Sequence, residues 1–227
     1  MLRYRKSAIT ALVLFLFAVT GTTLVALTYE GTRERIALNE RETLLRKLHQ
    51  LIIPERYDNT LFTDTLQVQD AKLLGTPEPV MVYRARRKGK PVALVMAPVA
   101  PDGYSGSIKL LVGINYDGTL AGVRVVSHHE TPGLGDGIDE ERSDWIYIFD
   151  GKSLDFPPLQ YWKVKRDGGV FDQLTGATIT PRAIVKAVRK SLLYYREHRD
   201  ALYATGTTAG SEPAENRTKQ PPEATGS

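Results

Sequence analysis

The chain has 227 residues, room for about one ordinary domain and some extra, and 30 Lys and Arg against 26 Asp and Glu leave a formal charge of only +4. That excess is too small for a strongly basic nucleic-acid binder, while 42% hydrophobic residues supply a core and exclude wholesale disorder. There is no cysteine, so disulfides, thiolate catalysis, Cys-held iron–sulfur clusters and Cys-containing zinc sites are excluded; redox chemistry here requires a borrowed cofactor.

Residues 8–29 run AITALVLFLFAVTGTTLVALTY without a charge. At about 1.5 Å per residue that helix is long enough to cross the hydrocarbon core of a membrane. The hydroxyls of Thr20, Thr22 and Thr23 are tolerated there because each can bond back to its own backbone. The competing reading is a cleaved signal peptide, whose apolar region runs only about 7–15 residues and ends in a small-x-small exit. Ala26-Leu27-Thr28 is a poor exit of that kind, and the run is too long. The span therefore reads as a transmembrane anchor with lipid as its partner. Arg3, Arg5 and Lys6 in the tail of residues 1–7 favour a cytoplasmic amino terminus. Arg33, Arg35 and Arg41 pull the other way, but a short basic tail ahead of a long translocated domain fits better.

Residues 30–76 read as an amphipathic helix and a connector. Over 31–53, Ile36, Leu44, Leu45, Leu48, Leu51 and Ile52 recur at three- and four-residue steps, and Pro54 stops the pattern. Residues 77–204 form the main domain. Its β-branched runs, Val80–Tyr83, Pro91–Met96, Ile108–Ile114 and Leu120–Val126, predict strands, and Asp117-Gly118 between the last two is a hairpin signal. A glycine-rich loop follows, then a short helix over Glu140–Phe149 and a last helix over Pro181–His198. Strands followed by helices predict an α+β domain. Residues 205–227, rich in Thr, Gly, Pro and Glu, have little to bury and read as disordered.

Three segments have the residue types for chemistry. In Phe171–Pro181, Thr180-Pro181 reads as a helix start, with a hydroxyl at the N-cap and proline at the first helical position. Thr178 then lies just ahead of free backbone N–H groups and the positive end of the helix dipole, where a phosphate is favoured. An ordinary capped turn explains the same residues. In Ser127–Gly137, His128, His129 and Glu130 invite a metal, yet adjacent side chains on an extended segment face opposite ways. The glycines of that segment suit a loop lying against something flat or anionic. The third, Gly103-Tyr104-Ser105-Gly106, is a small turn of low specificity. Tyr104, Trp145 and Trp162 are read as core packing in preference to cofactor stacking.

The string Asp172-x-x-Thr175-Gly176-Ala177-Thr178 resembles the Dxx[S/T]GAT flavinylation motif of FMN-binding domains, and His129–Gly135 resembles the ETPGLG loop of the same domains. From anchor to motif, residues 1–203 resemble the G subunits of the Rnf (Rsx) electron-transport complex. The resemblance implies an α+β extracytoplasmic FMN-binding domain behind one anchor, in the inner membrane, with the main domain periplasmic. It implies FMN joined through its phosphate to Thr178 by an ApbE-type flavin transferase, with Asp172 assisting the attachment. Glu130, Thr131, Gly133, Leu134, Gly135, Thr175, Gly176 and Ala177 become the implied cofactor contacts. The implied function is electron relay inside an ion-translocating oxidoreductase, among other membrane and peripheral subunits, with no nucleic-acid partner. The C subunit of the sodium-pumping NADH:quinone oxidoreductase, a stand-alone membrane-anchored flavin sensor and a purely structural anchor subunit whose motif has lost its flavin are the alternatives.

Overall fold

The computed structural model describes residues 2–204; the tail read from the sequence as disordered lies outside the described residues. The chain divides into two units, one through Gln50 and one from Leu51 onward.

A single helix, α1 (Leu2–Leu51), runs through the first unit and ends on the first residue of the second. The two helices expected over 8–29 and 31–53 are thus continuous. Gly31 between them weakens a helix by only about 1 kcal/mol, and nothing near it stops one. Pro54 does: it biases the residue before it away from helical backbone, and α1 ends three residues ahead of it. Within α1, Ala11–Thr32 is apolar and long enough to cross a membrane. Its side chains, Phe15, Phe17, Leu24 and Leu27 among them, are exposed, as an all-round apolar helix meant for lipid would be. Thr20 and Thr28 donate to the Leu16 and Leu24 carbonyls at 2.8 Å, so neither hydroxyl faces hydrocarbon unbonded.

The second unit is an antiparallel sheet with a helix across one face. Its strands are β1 (Thr65–Val68), β2 (Val80–Arg87), β3 (Lys90–Met96), β4 (Val99–Ala100), β5 (Ile108–Asn115) and β6 (Leu120–Ser127). The four strands expected from the β-branched runs are present. β1, inside the stretch read as connector, pairs with β2 as an edge strand. β4 continues the line of β3 along β5, from Met96↔Val112 to Val99↔Lys109, with Pro98 in the gap where a ladder N–H would otherwise stand. The hairpin predicted at Asp117-Gly118 joins β5 to β6.

One face of the sheet, with Val82, Leu94, Met96, Leu110, Val112 and Val125, buries itself against Ile184, Val185, Val188 and Leu192 of α3 (Ile179–Tyr203). A short helix, α2 (Ala71–Leu74), capped by Asp70, packs beside α3. On the other face the register partners Gly113 and Gly122 leave room for Leu51. A Cβ added to them would stand 3.2 Å and 3.1 Å from its side chain. The sheet and α3 make the domain α+β, as predicted. The helix expected over Glu140–Phe149 is a shorter 3-10 segment, Asp144–Phe149, capped by Ser143. Its Trp145 and Phe149 join Trp162 and Phe171 in an aromatic cluster, with Trp162 only 1% exposed.

Candidate functional site

Three loops converge at one end of the sheet, where β5 begins, β6 ends and α3 starts. The first is the 103–106 turn, the second the Glu130–Gly135 loop and the third the Leu174–Thr178 turn.

Glu130 holds them together. It is 4% exposed, and its two oxygens accept from the Ser105 N–H at 3.0 Å and from the Thr180 hydroxyl. Gly135 has to be bare beneath it, because a Cβ there would lie 2.9 Å from a Glu130 oxygen and 3.1 Å from Thr180 Oγ1. From Thr131 the loop turns tightly: the N–H groups of Leu134 and Gly135 both reach the Thr131 carbonyl at 3.1 Å. Gly133, at φ +77°, supplies the left-handed residue that this turn needs.

The flavinylation-like motif folds as a β-turn. Ala177 N–H donates to the Leu174 carbonyl at 3.2 Å, and Gly176 at φ +79° takes the third position, which in such turns favours glycine. This turn lies against the second loop: a Cβ on Gly176 would meet Leu134 Cδ2 at 3.0 Å, and one on Gly137 would meet Leu174 at 3.2 Å. Leu134 itself remains 48% exposed beside the turn. Trp145 Nε1–H donates to the Asp172 carbonyl at 2.7 Å, fixing the motif's first residue to the aromatic cluster.

The helix start differs from the sequence reading. α3 begins at Ile179, so Thr178 is the N-cap and Thr180 is the second helical residue. The Thr180 hydroxyl, expected to cap the helix, is fully buried and given to Glu130 instead. The Thr178 side chain makes no capping bond and is half-buried. Its hydroxyl therefore stands at the head of a 25-residue helix whose first N–H groups have no partner within the helix.

The surroundings of Thr178 are cationic. Lys163, Lys165, Arg166 and Arg182 stand near Asp167 and Asp172. Lys165 pairs with Asp172 at 2.5 Å, tying the motif's first residue to the Lys165–Asp167 turn. Arg182 grips Asp167 through two nitrogens at 2.6 and 2.8 Å. The Arg182 hydrogen bond, helped by the cations around it, holds the Asp167 carboxyl below the ordinary carboxylate range. Arg166 places a guanidinium nitrogen 3.4 Å from Thr178 Oγ1. Sequence reasoning passed over Arg166; the basic run Lys163-Val164-Lys165-Arg166 shortly before the motif is the signal that was there.

Of the predicted contacts, Leu134, Gly176, Ala177 and Thr178 gather on this surface with exposed Thr131, Gly133 and Thr175, while Glu130 and Gly135 lie beneath it. Trp145 and Trp162 are core, as read from sequence. Tyr104 is not: held on its turn by the Ser105–Glu130 bond, it is 67% exposed. Among the described residues no group of three or more His, Asp or Glu is placed to hold a metal, and the His128 ring nitrogen accepts from the Glu130 N–H at 3.1 Å. The residues fit a flavin phosphate: a hydroxyl at a helix head that caps no N–H, an adjacent guanidinium, and a left-handed glycine turn that keeps side chains off the approach.

The FMN-binding domain family matches residues 103–193, and the RnfG N-terminal region matches residues 1–51. The G subunit of the ion-translocating oxidoreductase complex of Pseudoalteromonas atlantica is 47% identical over 201 residues, 88% of this chain and 94% of that protein. The protein of the same name from Pseudomonas aeruginosa is 49% identical over 202 residues, 89% and 94% of the two chains. The chain is a membrane-anchored protein with an FMN-binding domain. It belongs to the G-subunit family of ion-translocating oxidoreductase complexes.

Proposed function

We propose that this chain relays electrons through FMN esterified to Thr178, as one subunit of an ion-translocating oxidoreductase that couples electron transfer to cation movement across the inner membrane. The observation that carries the reading is the place of Thr178. The hydroxyl of the motif's last threonine caps none of its own helix's N–H groups and stands at the helix head beside a cation. Attachment by an ApbE-type transferase forms a bond between Thr178 Oγ1 and the flavin phosphorus. The phosphoanhydride bond of a flavin dinucleotide donor breaks, its other half leaves as a nucleoside monophosphate, and the hydroxyl proton passes to a base on the transferase.

Bound FMN supplies one- and two-electron redox chemistry, and the protein holds its position and tunes its potential. The chain's own residues seat the phosphate at the head of α3. Leu134 and the backbone of Gly133 and Gly135 offer an apolar, unhindered surface to a flat ring. Glu130 keeps the three loops in register, and Asp172 serves the attachment once freed from Lys165. The amino terminus, with Arg3, Arg5 and Lys6, stays cytoplasmic; the domain from Leu51 onward is periplasmic. There a covalent tether keeps a small nucleotide from diffusing away. Other subunits of the complex are its electron partners.

The test is the mass of the full chain produced with a flavin transferase. One FMN adds about 438 Da to the wild type, and Thr178→Ala removes both the added mass and the flavin fluorescence in a denaturing gel. An adduct that survives in Thr178→Ala overturns the site; a wild type without flavin overturns the function.

A further inference from the structure

We infer that Arg166 is the residue that binds the anionic phosphodiester at Thr178, an inference resting on the flavin attachment proposed above. Charge left over and reach together single it out: like Arg166, Lys163 makes no ion pair among the described residues, but Arg166, not Lys163, is hydrogen-bonded to Thr178. Two of the cations around the motif are already neutralised: Lys165 by Asp172 at 2.5 Å and Arg182 by a two-pronged bond to Asp167. Arg166 makes no ion pair within 4 Å among the described residues, and its guanidinium lies 3.4 Å from the threonine oxygen itself.

Its backbone is held for the task. The Arg166 N–H donates to the Gln173 side chain at 3.2 Å, tying the 3-10 turn Lys165–Asp167 to the motif loop. On its far side the turn is tied to the helix by Asp167 and Arg182. The Lys165 N–H bonds the Phe171 carbonyl at 2.8 Å, and Phe171 is part of the aromatic core. The guanidinium is thus carried on a turn fixed at both ends beside the esterified oxygen. A phosphodiester keeps one full negative charge at every working pH. Adding it to Thr178 puts that charge within reach of a planar donor suited to phosphate oxygens. The helix head supplies partial charge on one side of the phosphate, and Arg166 supplies a whole one on the other.

The test compares detergent-solubilised full-length wild type with and without attached flavin, using phenylglyoxal as an arginine probe and peptide mass spectrometry as the readout. Loading should slow modification of Arg166 roughly tenfold. Arg182, paired with Asp167 in both states, should react at the same rate in both. The protection should weaken in about 1 M salt, as ion pairing does and steric cover does not. Equal Arg166 rates with flavin attached at Thr178 overturn this inference and leave the proposed function standing. So does protection that salt leaves unchanged, which is shielding by the ring. Absence of flavin from Thr178 sinks both together.

Discussion

The Thr180 hydroxyl donates its hydrogen bond to the Glu130 carboxylate, fifty residues away in sequence, and the other carboxylate oxygen takes the Ser105 N–H. One buried side chain therefore sets the spacing of three loops. Glu130→Ala leaves the buried Thr180 hydroxyl without its acceptor and frees the exposed Ser105 turn, and we expect a loss of about 1–3 kcal/mol. Glu130→Gln costs about 1 kcal/mol, because its amide oxygen serves Ser105 while its NH2 donates to the Thr180 oxygen. Denaturant unfolding followed by the fluorescence of Trp145 and Trp162 measures both. Equal losses for the two variants would show that the carboxylate matters by charge and not by bonding.

Gly176 combines φ +79° with a close neighbour, since an added Cβ meets Leu134 Cδ2 at 3.0 Å. Leu134 is half exposed and can swing aside, so the backbone is the larger obstacle: about 1–2 kcal/mol for a left-handed L-residue. Gly176→Ala should lower flavin loading by distorting the turn that carries Thr178. Adding Leu134→Ala relieves only the steric part, so the double variant should recover little. Full recovery of loading, read by intact mass, would mean that contact and not backbone strain was limiting.

How much of this was legible beforehand follows the range of the interactions. β2, β3, β5 and β6 were readable because β-branched runs and the Asp117-Gly118 turn are local signals. β1 was not: four residues in an Asp- and Pro-bearing connector become a strand only by pairing with β2. Gly31 alone could not break α1, so an expected boundary never formed. At α3 the local Thr-Pro signal lost to a long-range one, because Glu130 claims the Thr180 hydroxyl and the helix starts at Ile179. The motif threonine was legible as a string, but Arg166 becomes relevant only through a distance across the folded loops.

Trp162 and Tyr104, read alike from sequence, have opposite fates. Trp162 is buried, stacks near Phe149 and Phe171, and gives its N–H to the Ser153 and Pro157 carbonyls at 3.0 and 3.1 Å. Trp162→Ala should cost about 3–5 kcal/mol. Tyr104→Ala, on an exposed turn, should stay within about 0.5 kcal/mol. Denaturant midpoints separate the two, and a Tyr104 loss near that of Trp162 would return the tyrosine to the core.

Acid sensitivity has a local source at the β5–β6 hairpin. Asp117 accepts from the Thr119 N–H at 2.9 Å and from the Thr119 hydroxyl at 2.7 Å. These bonds hold its carboxyl below its ordinary value of 3.8. A carboxyl lowered on folding contributes stability that is present above the ordinary value and lost as pH falls through the lowered one. Wild type should therefore exceed Asp117→Asn in stability at about pH 7, and the gap should close below about pH 4. Asp150 works in the opposite sense. Burial raises its carboxyl despite nearby Arg124, so its contribution declines as pH rises through the raised value. Asp150→Asn should accordingly leave the acid side of the profile near wild type and gain stability on the neutral side. Urea midpoints at the two pH values decide between the groups: a gap for Asp117→Asn that is unchanged by acid would place the turn's stability in shape and not in charge.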